Sequence, residues 1–595
     1  MSQPNHLGLS LAAGCITLLL SSPTVAAAVA DDTIIVTATR SAQALDQALA
    51  RTSVITRSEI ELSQAPDLLE LLRQQAGVDV TRTGGPGGQT SVFMRGSNSN
   101  HVLVLIDGVR VAAAGTGAFA WELIDPGIIE RIEIVRGPRA ARWGSDAIGG
   151  VIQIFTRQPE GQQFRAGYGR YRDRSLQAGI GGGQAGLSLA ARKVGGFSAQ
   201  NERGFAFDPD DDGVELLSAA AGGSQPLGGG QFSWSTRISD GEIEFDQGVS
   251  DVTNYSARLA YEHAADSGWR WSIDSALYRD QLATLTPFGR SENNTRRVQA
   301  GLQAERELAP GSYWLMGVDA WQESGVERGS WSDSRHNVGA WTGLDGRQGR
   351  FDYEFSLRAD RDELFGSALT GNLAGGWRPA DDWRVFASAG RAFRAPNFSQ
   401  LFSPGFAGQF AGNSDLDPET SVSLELGADW RLRPGVSLEA SVFQTRIDDL
   451  IDFAGADFQA INVRRARIQG AELAYRLTAD EWRAQAHLTW QEAEDRDTSL
   501  ALLRRPEEKA GLSVDRLFAG GHWLGVELLY VGERVDVGQV ALPSHVLIGL
   551  RGGWEINPSM RLEGRLENLA DRFYEPAVGF NAAGRSLFVA LNFQR

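Results

Sequence analysis

Along most of the chain, apolar and polar residues alternate one by one in short segments separated by turn residues. In residues 352–360 the apolar side chains stand at odd positions, and charged or hydroxyl side chains stand at even positions. Residues 422–432, 524–530 and 587–593 repeat this alternation. A period of two residues is typical of β-strands with one apolar and one polar face. Residues 159–595 therefore predict a long succession of antiparallel strands.

The alternation alone does not distinguish a soluble sandwich from a membrane barrel. Four tryptophans near predicted strand ends favour the membrane, because aromatic residues gather at membrane interfaces: Trp377, Trp383, Trp430 and Trp523. About 437 residues, at roughly 20 per strand and connection, accommodate a little over 20 strands. The apolar run at residues 7–20 is too short for a spanning helix and no other stretch approaches the necessary length, so a closed barrel is the predicted way across a bilayer.

Residues 41–158 follow a different pattern, which predicts a small α/β domain. Ser63 is a candidate helix N-cap, Pro66 fits the first turn, and four leucines between 68 and 72 form an apolar face that Gly77 ends. Short apolar segments at 53–56, 101–107, 128–136 and 151–155 predict strands. A barrel of more than 20 strands is an open hole unless it is filled. We therefore expect this domain to be a plug inside the barrel.

The first 40 residues predict export. Residues 7–20 are apolar, and Ala28-Val29-Ala30 resembles a signal-peptidase site, so residues 1–30 are expected to be a cleaved signal peptide. Cys15, the single cysteine, follows small residues as in lipoprotein signals, but the apolar run continues past it and favours an ordinary signal. Residues 31–40 are rich in β-branched side chains and predict a strand open to a partner. A frayed mature terminus or the first strand of a domain is the alternative.

Charge and motif content narrow the function. The net charge of −17 argues against a nucleic-acid partner. The sequence has neither a G-x-S-x-G nor an H-E-x-x-H string, so nothing proposes a catalytic nucleophile or zinc site, and we do not expect an enzyme.

Several ordered segments resemble the TonB-dependent outer-membrane receptors, and within them the receptors for cobalamin (vitamin B12). The resembling segments are residues 32–38, 91–96, 101–110, 136–150, 394–397, 415–419, 502–505 and 567–585. The resemblance implies an all-β membrane barrel of 22 antiparallel strands with an N-terminal α/β plug domain in its lumen. It also implies a monomer in the bacterial outer membrane that contacts lipid and takes up a cobalamin-type ligand, with energy supplied by the periplasmic protein TonB.

The resemblance also assigns site residues. The TonB box, which pairs with TonB by strand addition, falls on Asp32, Thr33, Ile34, Ile35, Val36, Thr37 and Ala38. The ligand contacts in the plug fall on Ser91, Asn98, Thr116 and Gly117, small and amide residues that suit hydrogen bonds to the amide rim of a corrin, and Arg504 or Arg505 adds a contact from the barrel. Ordinary turn residues are the alternative at each of these positions. We expect the plug and barrel to pair through Arg95, Arg136, Glu425 and Glu472.

An acidic loop suggests calcium. Residues 208–213 read D-x-D-x-D-G, the start of a calcium-binding turn, although Ala219 stands where an EF-hand carries glutamate. Cobalamin receptors carry calcium in the corresponding loop, so the resemblance assigns calcium to Asp208, Asp210, Asp212 and, from the next loop, Asp240. A solvated acidic loop without a metal is the alternative.

Other functions stay open from the sequence. A siderophore or haem receptor of the same family is one alternative, although residues 394–419 hold no histidine to bind haem iron. A passive porin or an adhesin is another, but neither needs a plug of this size or a TonB box.

Overall fold

Twenty-two antiparallel strands of the described chain close into a barrel in which the first strand pairs with the last. The structure is a computed structural model, and it describes residues 35–37, 40, 43–405, 410–454 and 459–595. The predicted signal peptide, Asp32, Thr33, Ile34 and Ala38 lie outside the described residues. The fold class predicted from the resemblance, a 22-stranded barrel with an N-terminal plug, is confirmed.

The strands follow chain order around the barrel except that a small hairpin, Arg534–Asp536 paired with Val540–Leu542, stands in the connection between Trp523–Val531 and His545–Asn557. The barrel strands are β10 (Gly161–Gly169), β11 (Asp173–Gly182), β12 (Ala185–Phe197), β13 (Asp212–Leu227), β14 (Gly230–Phe245), β15 (Gly248–Ala264), β16 (Trp269–Thr286), β17 (Gly289–Ala309), β18 (Ser312–Glu327), β19 (Trp331–Gln348), β20 (Phe351–Asp362), β21 (Gly366–Ala380), β22 (Trp383–Arg394), β23 (Glu419–Arg433), β24 (Val436–Ala454), β25 (Gln459–Thr478), β26 (Trp482–Asp495), β27 (Glu508–Leu517), β28 (Trp523–Val531), β31 (His545–Asn557), β32 (Met560–Glu567) and β33 (Ser586–Gln594); the hairpin is β29 (Arg534–Asp536) and β30 (Val540–Leu542).

The barrel wall has its apolar face outside. On β20, Phe355 and Leu357 are 43% and 41% exposed, whereas Glu354, Ser356 and Arg358 point inward and are at most 6% exposed. A soluble protein would bury the aromatic and aliphatic side chains instead. The alternation read from the sequence is therefore that of a membrane barrel with a polar lumen.

Aromatic residues mark the end of the barrel with short turns. Trp383 begins β22 and stacks on Trp430 of the paired strand β23, with ring centroids 5.0 Å apart. Trp377 is also exposed, but Trp523 is buried at the start of β28. Short turns and longer loops distinguish the periplasmic from the extracellular end of such barrels. Three long connections, residues 198–211, 395–418 and 568–585, lie at the opposite, extracellular end.

The plug fills the lumen with a five-stranded sheet. Its strands lie in the order Thr52–Ile55, Ile129–Arg136, Gly150–Thr156, Val102–Ile106 and Val109–Arg110, and only Gly150–Thr156 and Val102–Ile106 are parallel. Its apolar core packs between this sheet and two short helices. The plug elements are β1 (Ile35–Val36), β2 (Gln43–Ala44), β3 (Thr52–Ile55), α1 (Arg57–Ser63), α2 (Leu68–Arg73), β4 (Val78–Arg82), β5 (Thr90–Met94), β6 (Val102–Ile106), β7 (Val109–Arg110), β8 (Ile129–Arg136), α3 (Ala140–Trp143) and β9 (Gly150–Thr156).

The helix start predicted at Ser63 is wrong. Ser63 is the last residue of α1, which begins at a capping box formed by Thr56 and Glu59. The leucine-rich helix α2 begins at Asp67, whose carboxylate accepts hydrogen bonds from the N–H groups of Leu69 and Glu70. Aspartate satisfies the free N–H groups of a first turn as well as serine does. Because Thr56 and Asp67 each cap a separate helix, two helices stand where one was predicted.

A fourth helix, α4 (Phe398–Phe402), lies in the longest extracellular loop, between β22 and β23. Among the described residues, no helix is both long and apolar enough to cross a membrane.

Candidate functional site

Two loops of the plug meet at its extracellular surface and carry three of the predicted ligand contacts. Asn98 precedes a 3₁₀ turn, Ser99–His101. Gly117 has a φ of +69°, and a Cβ atom added there would lie 3.5 Å from the Cβ of Asn100. Thr116, beside it, is exposed. The structure therefore brings Asn98, Thr116 and Gly117 into one polar surface, which we call the apical surface.

Arg505 reaches the apical surface from the barrel, and Arg504 does not. The Arg505 guanidinium donates to the Asn98 side-chain oxygen and to the Gly96 carbonyl, and it lies 4.2 Å from the centre of the Phe93 ring. Burial lowers the pKa of Arg505 to about 10. Arg504 turns away and donates to the carboxylate of Asp536 at 2.7 Å. Only one of the two predicted arginines therefore borders the apical surface.

Ser91 lies below this surface. It stands on β5 opposite Thr81 of β4, two residues before Phe93, and it is half-buried. Among the described residues, no hydrogen bond joins the Ser91 side chain to Asn98, Thr116 or Gly117.

The extracellular helix α4 is hydrogen-bonded to the plug. The Asn397 side-chain amide donates to the Thr116 carbonyl at 2.9 Å, and the backbone N–H groups of Phe398 and Ser399 donate to the carbonyls of Ala114 and Gly115. Asn397 also caps α4 through the N–H of Gln400. This loop joins the barrel to the apical surface, a contact that the sequence analysis missed.

A buried glutamate of the barrel joins three elements beneath the apical surface. The His101 ring accepts from the Asn98 N–H at Nδ1. Its other nitrogen, Nε2, then donates to Glu419 at 2.9 Å. Glu419 also accepts from Arg394 and from the Ile451 N–H. His101 and Glu419 are both fully buried. The sequence analysis assigned neither residue a role, although both lie in segments that carry the family resemblance.

The plug–barrel ion pair involves Arg95 and both predicted glutamates. The Arg95 guanidinium donates to Glu425 at 2.8 Å and to the two oxygens of Glu472 at 3.0 and 2.9 Å. All three side chains are at least 95% buried. The two carboxylates raise the pKa of Arg95 and keep it charged. The structure thus brings together three of the four residues predicted to pair.

The predicted pairing of Arg136 with these glutamates is wrong. Its guanidinium donates to the Ala76 carbonyl at 2.7 Å and to the Ser53 hydroxyl at 2.9 Å, both within the plug. Arg136 ends β8 inside the plug sheet, and among the described residues it makes no direct ion pair with the wall, although its charge acts on Glu472 through space.

The acidic loop at 208–212 is hydrogen-bonded to residues that precede and follow it in the chain. The Asp212 carboxylate accepts from the Ala199 N–H at 2.6 Å, and Asp246 accepts from the Asp208 N–H at 3.0 Å. Asp211 pairs with Arg172, and Asp210 is exposed. In the part of the chain that the structure describes, no three acidic, histidine or cysteine side chains converge as metal ligands require. Asp210, Asp212 and Asp246 nevertheless lie close enough for their negative charges to act on one another.

Asp240 does not belong to this loop. It lies on β14 opposite Leu217 of β13, and Leu217 is five residues along β13 from Asp212. The exposed carboxylate of Asp240 accepts from the Thr253 hydroxyl at 2.6 Å. The period of two residues places Asp240 on the outer face of the wall beside Ile238. Its assignment to the calcium site is therefore wrong, and calcium at the other three aspartates stays a prediction.

Polar contacts to a second loop hold the acidic loop in place. Arg203 and Asn201 both donate to the Glu575 carboxylate, at 2.6 and 2.8 Å. The Asn581 side chain donates to the carbonyls of Ser198 and Gln200. The first loop joins β12 to β13 and the second joins β32 to β33, so these contacts cross the seam between β10 and β33 at the extracellular end.

Three of the predicted TonB-binding residues are described, and they lie against the plug. Ile35 and Val36 pair with Ala44 and Gln43 as a two-stranded sheet, and Val36 is fully buried. The Thr37 N–H donates to the Glu133 carboxylate at 2.7 Å. A partner that adds a strand here must replace these contacts.

A closed barrel, a plug that fills it and a strand segment at its periplasmic side together define a gated outer-membrane transporter. The family described as TonB dependent receptor-like, beta-barrel, matches residues 163–569, and the TonB-dependent Receptor Plug Domain matches residues 44–151. The chain belongs to the TonB-dependent receptors, which carry ligands across the outer membrane of bacteria.

Individual relatives agree with this assignment. The chain is 30% identical to the vitamin B12 transporter BtuB of Vibrio vulnificus and 29% identical to that of Photobacterium profundum, over 95% of this chain and 95% and 96% of the relatives. A solved structure of a mutant ferric enterobactin receptor from Pseudomonas aeruginosa superposes with a TM-score of 0.78 at 17% identity, over 91% of this chain and 99% of that one. The likeness to the enterobactin receptor structure, at 17% identity, shows the fold alone.

Proposed function

We propose that this receptor takes up cobalamin or a closely related corrinoid. The observation that carries the proposal is identity at the 30% level to vitamin B12 transporters over nearly the full length of both chains. The apical surface supports it, because Asn98, Thr116 and Arg505 offer both donors and acceptors to the amide side chains around a corrin ring.

The hydrogen bonds below the apical surface suggest how binding is communicated to the barrel. A ligand that bonds to Asn98 competes for the Arg505 guanidinium and perturbs the turn whose N–H holds His101 in its tautomer. His101 in turn contacts Glu419 on the wall. A ligand at Thr116 acts on the loop helix α4 through Asn397. Both routes begin at predicted ligand contacts and end on barrel residues.

TonB supplies the force at the opposite side of the plug. We expect TonB to pair with residues 32–38 and to replace the strand pairing of Ile35 and Val36 with Gln43 and Ala44. Pulling on this segment is transmitted first to Glu133, at the centre of the plug sheet, through its bond to Thr37. Calcium has no step in this scheme.

Equilibrium binding of cyanocobalamin to the purified, detergent-solubilised protein tests the proposal. We expect saturable binding by the wild type that a ferric siderophore does not displace. Repeating the titration with calcium and then with a chelator tests the calcium prediction separately, because only calcium-dependent binding weakens on chelation. Absence of cyanocobalamin binding in both conditions, with siderophore binding instead, contradicts the corrinoid assignment and leaves the family assignment intact.

A further inference from the structure

Two arginines stand side by side on the outer surface of the barrel. Arg279 of β16 and Arg296 of β17 are directly paired across the strands, and both side chains are exposed and point away from the lumen. Residues paired in this way have Cβ atoms about 5 Å apart, and like charges at such positions repel. Among the described residues, no hydrogen bond or ion pair joins either guanidinium to a carboxylate.

The surroundings of the pair do not neutralise it. Tyr255 and Ser324 flank the two arginines in the same row of the wall. The outward carboxylate further along β17, Glu292, lies four residues away, or about 13 Å. It already contacts Arg290 and Arg328 at 3.0 and 2.9 Å. Asp240 also points outward, but it lies two strands and two residues from Arg279, about 12 Å away, and accepts from Thr253. Within the described chain, the pair therefore presents two positive charges without an ion-pair partner to the medium outside the barrel.

The position of the pair relative to the membrane identifies that medium. Two residues closer to the periplasm, the outward side chains are Leu277 and Val298, and Leu302 follows on β17 with 52% exposure. Beyond the arginines, the outward residues are Gln281 and Asn294. The arginines thus lie at the upper edge of the apolar belt, where the lipid face tolerates arginine and the headgroups of the outer leaflet begin.

The same edge continues on neighbouring strands with further cations. His336 of β19 and Arg361 of β20 also point outward above Val338 and Leu357. These two have partners of their own, since His336 contacts Glu363 at 2.7 Å and Arg361 donates to Ser367. The Arg279–Arg296 pair is therefore the part of this cationic edge that is open to a ligand.

We propose that Arg279 and Arg296 bind a phosphate group of an outer-leaflet glycolipid of the lipid A class. Charge complementarity carries the assignment, because a phosphate offers oxygens to two guanidinium groups at once and removes their repulsion. The acyl chains of the same molecule lie along the apolar belt formed by Leu277, Val298 and Leu302. The proposal depends on the outer-membrane location of the barrel and not on which ligand it transports.

Arginines at the periplasmic end provide a matched control. Arg306 of β17 and Arg516 of β27 are also exposed and outward, but each lies over an aromatic ring, at 5.7 Å from the centre of Trp269 and 5.3 Å from that of Trp482. They lie at the other edge of the membrane, so their loss removes the same charge without affecting the outer leaflet.

Native mass spectrometry of the full-length protein in detergent, titrated with lipid A, tests the proposal. We expect wild type and R306Q/R516Q to retain bisphosphorylated lipid A, and R279Q/R296Q to bind it about tenfold more weakly because two charged contacts are lost. Wild type should bind enzymatically dephosphorylated lipid A as weakly as the R279Q/R296Q variant binds the intact lipid. Heat-modifiable migration on gels verifies that each variant is a folded barrel.

Two results would overturn the assignment. One is equal retention of bisphosphorylated lipid A by wild type and R279Q/R296Q. The other is complete displacement of lipid A by millimolar inorganic phosphate, which would identify a site for the free ion and not for a lipid.

Discussion

At the scale of single residues, the interface between plug and wall is held by charged groups that water does not reach. Arg95 contacts Glu425 and Glu472 with all three side chains nearly fully buried. Removing one partner of such a group is costly, because the remaining charge stays out of water. The arrangement therefore fixes the orientation of the plug more than it adds to stability.

Replacing Glu425 tests this interface. In Glu425→Ala, Arg95 keeps only Glu472, and we expect the plug to lose about 2 kcal/mol of protection against hydrogen exchange. Glu425→Gln, which keeps an acceptor for the same guanidinium N–H, should lose less. Hydrogen exchange of plug peptides, followed by mass spectrometry, measures both. Protection in Glu425→Ala equal to that of the wild type would show that the ion pair does not hold the plug.

Glu122 makes the plug sensitive to pH. It lies in the 3₁₀ turn Trp121–Leu123, where loss of water raises its pKa from 4.5 to about 8. The folded plug therefore retains a proton that the unfolded chain releases, and plug stability falls as pH rises through the window from 4.5 to 8. We expect exchange protection factors of wild type to fall about tenfold or more between pH 5 and pH 8.

Glu122→Gln should flatten this dependence, because the amide stays neutral throughout. The exposed Glu160, replaced by glutamine, serves as the control and should retain the wild-type profile. Protection factors of wild type that stay constant between pH 5 and pH 8 would contradict the role of Glu122.

Site residues were predictable where they lie in segments that carry the family resemblance. The bonding partner of a side chain was not predictable where the side chain could reach either the plug or the wall. Arg95 and Arg136 both stand before glycine, but Arg136 ends a strand of the plug sheet and bonds inside the plug. The error at Asp240 was avoidable, since the alternation around Ile238 already places Asp240 outside.

At the scale of elements, the loop helix α4 is the part of the barrel that touches the apical surface most directly. It contacts plug residues that precede it in the chain by about 280 positions. Most of these contacts involve backbone groups, and no local sequence pattern specifies the partner of a backbone group. The sequence therefore could not predict this contact, whereas strand alternation predicted the wall. The capping box at Thr56 could have revealed α1, because its spacing is readable without a structure.

The cap of α4 provides a prediction at this scale. Asn397→Ala removes both the cap and the bond to the Thr116 carbonyl, so we expect cyanocobalamin affinity to fall about tenfold. Ser399→Ala is the control, because Ser399 contacts the plug through its backbone N–H. Isothermal titration measures both variants. Equal loss of affinity in the two would mean that the effect does not arise from the Asn397 side chain.

At the scale of the whole molecule, the two ends of the plug are specialised. The extracellular end presents the Asn98 amide, the exposed Thr116 hydroxyl and the hydrogen bonds between the plug and α4. The periplasmic end presents a short strand pairing that a partner can replace. The lumen between them is closed by the plug sheet. Transport therefore requires that binding at one end and force at the other act on the same domain.

Accumulation of labelled cyanocobalamin by cells that lack their own cobalamin receptor tests this account most directly. Cells producing the full chain should accumulate the ligand, and those producing a chain without residues 32–38, or lacking TonB, should bind it at the surface without accumulation. Equal accumulation with and without residues 32–38 or TonB would contradict energy-dependent transport by this route. Neither binding nor accumulation by the full chain would contradict cobalamin as its ligand.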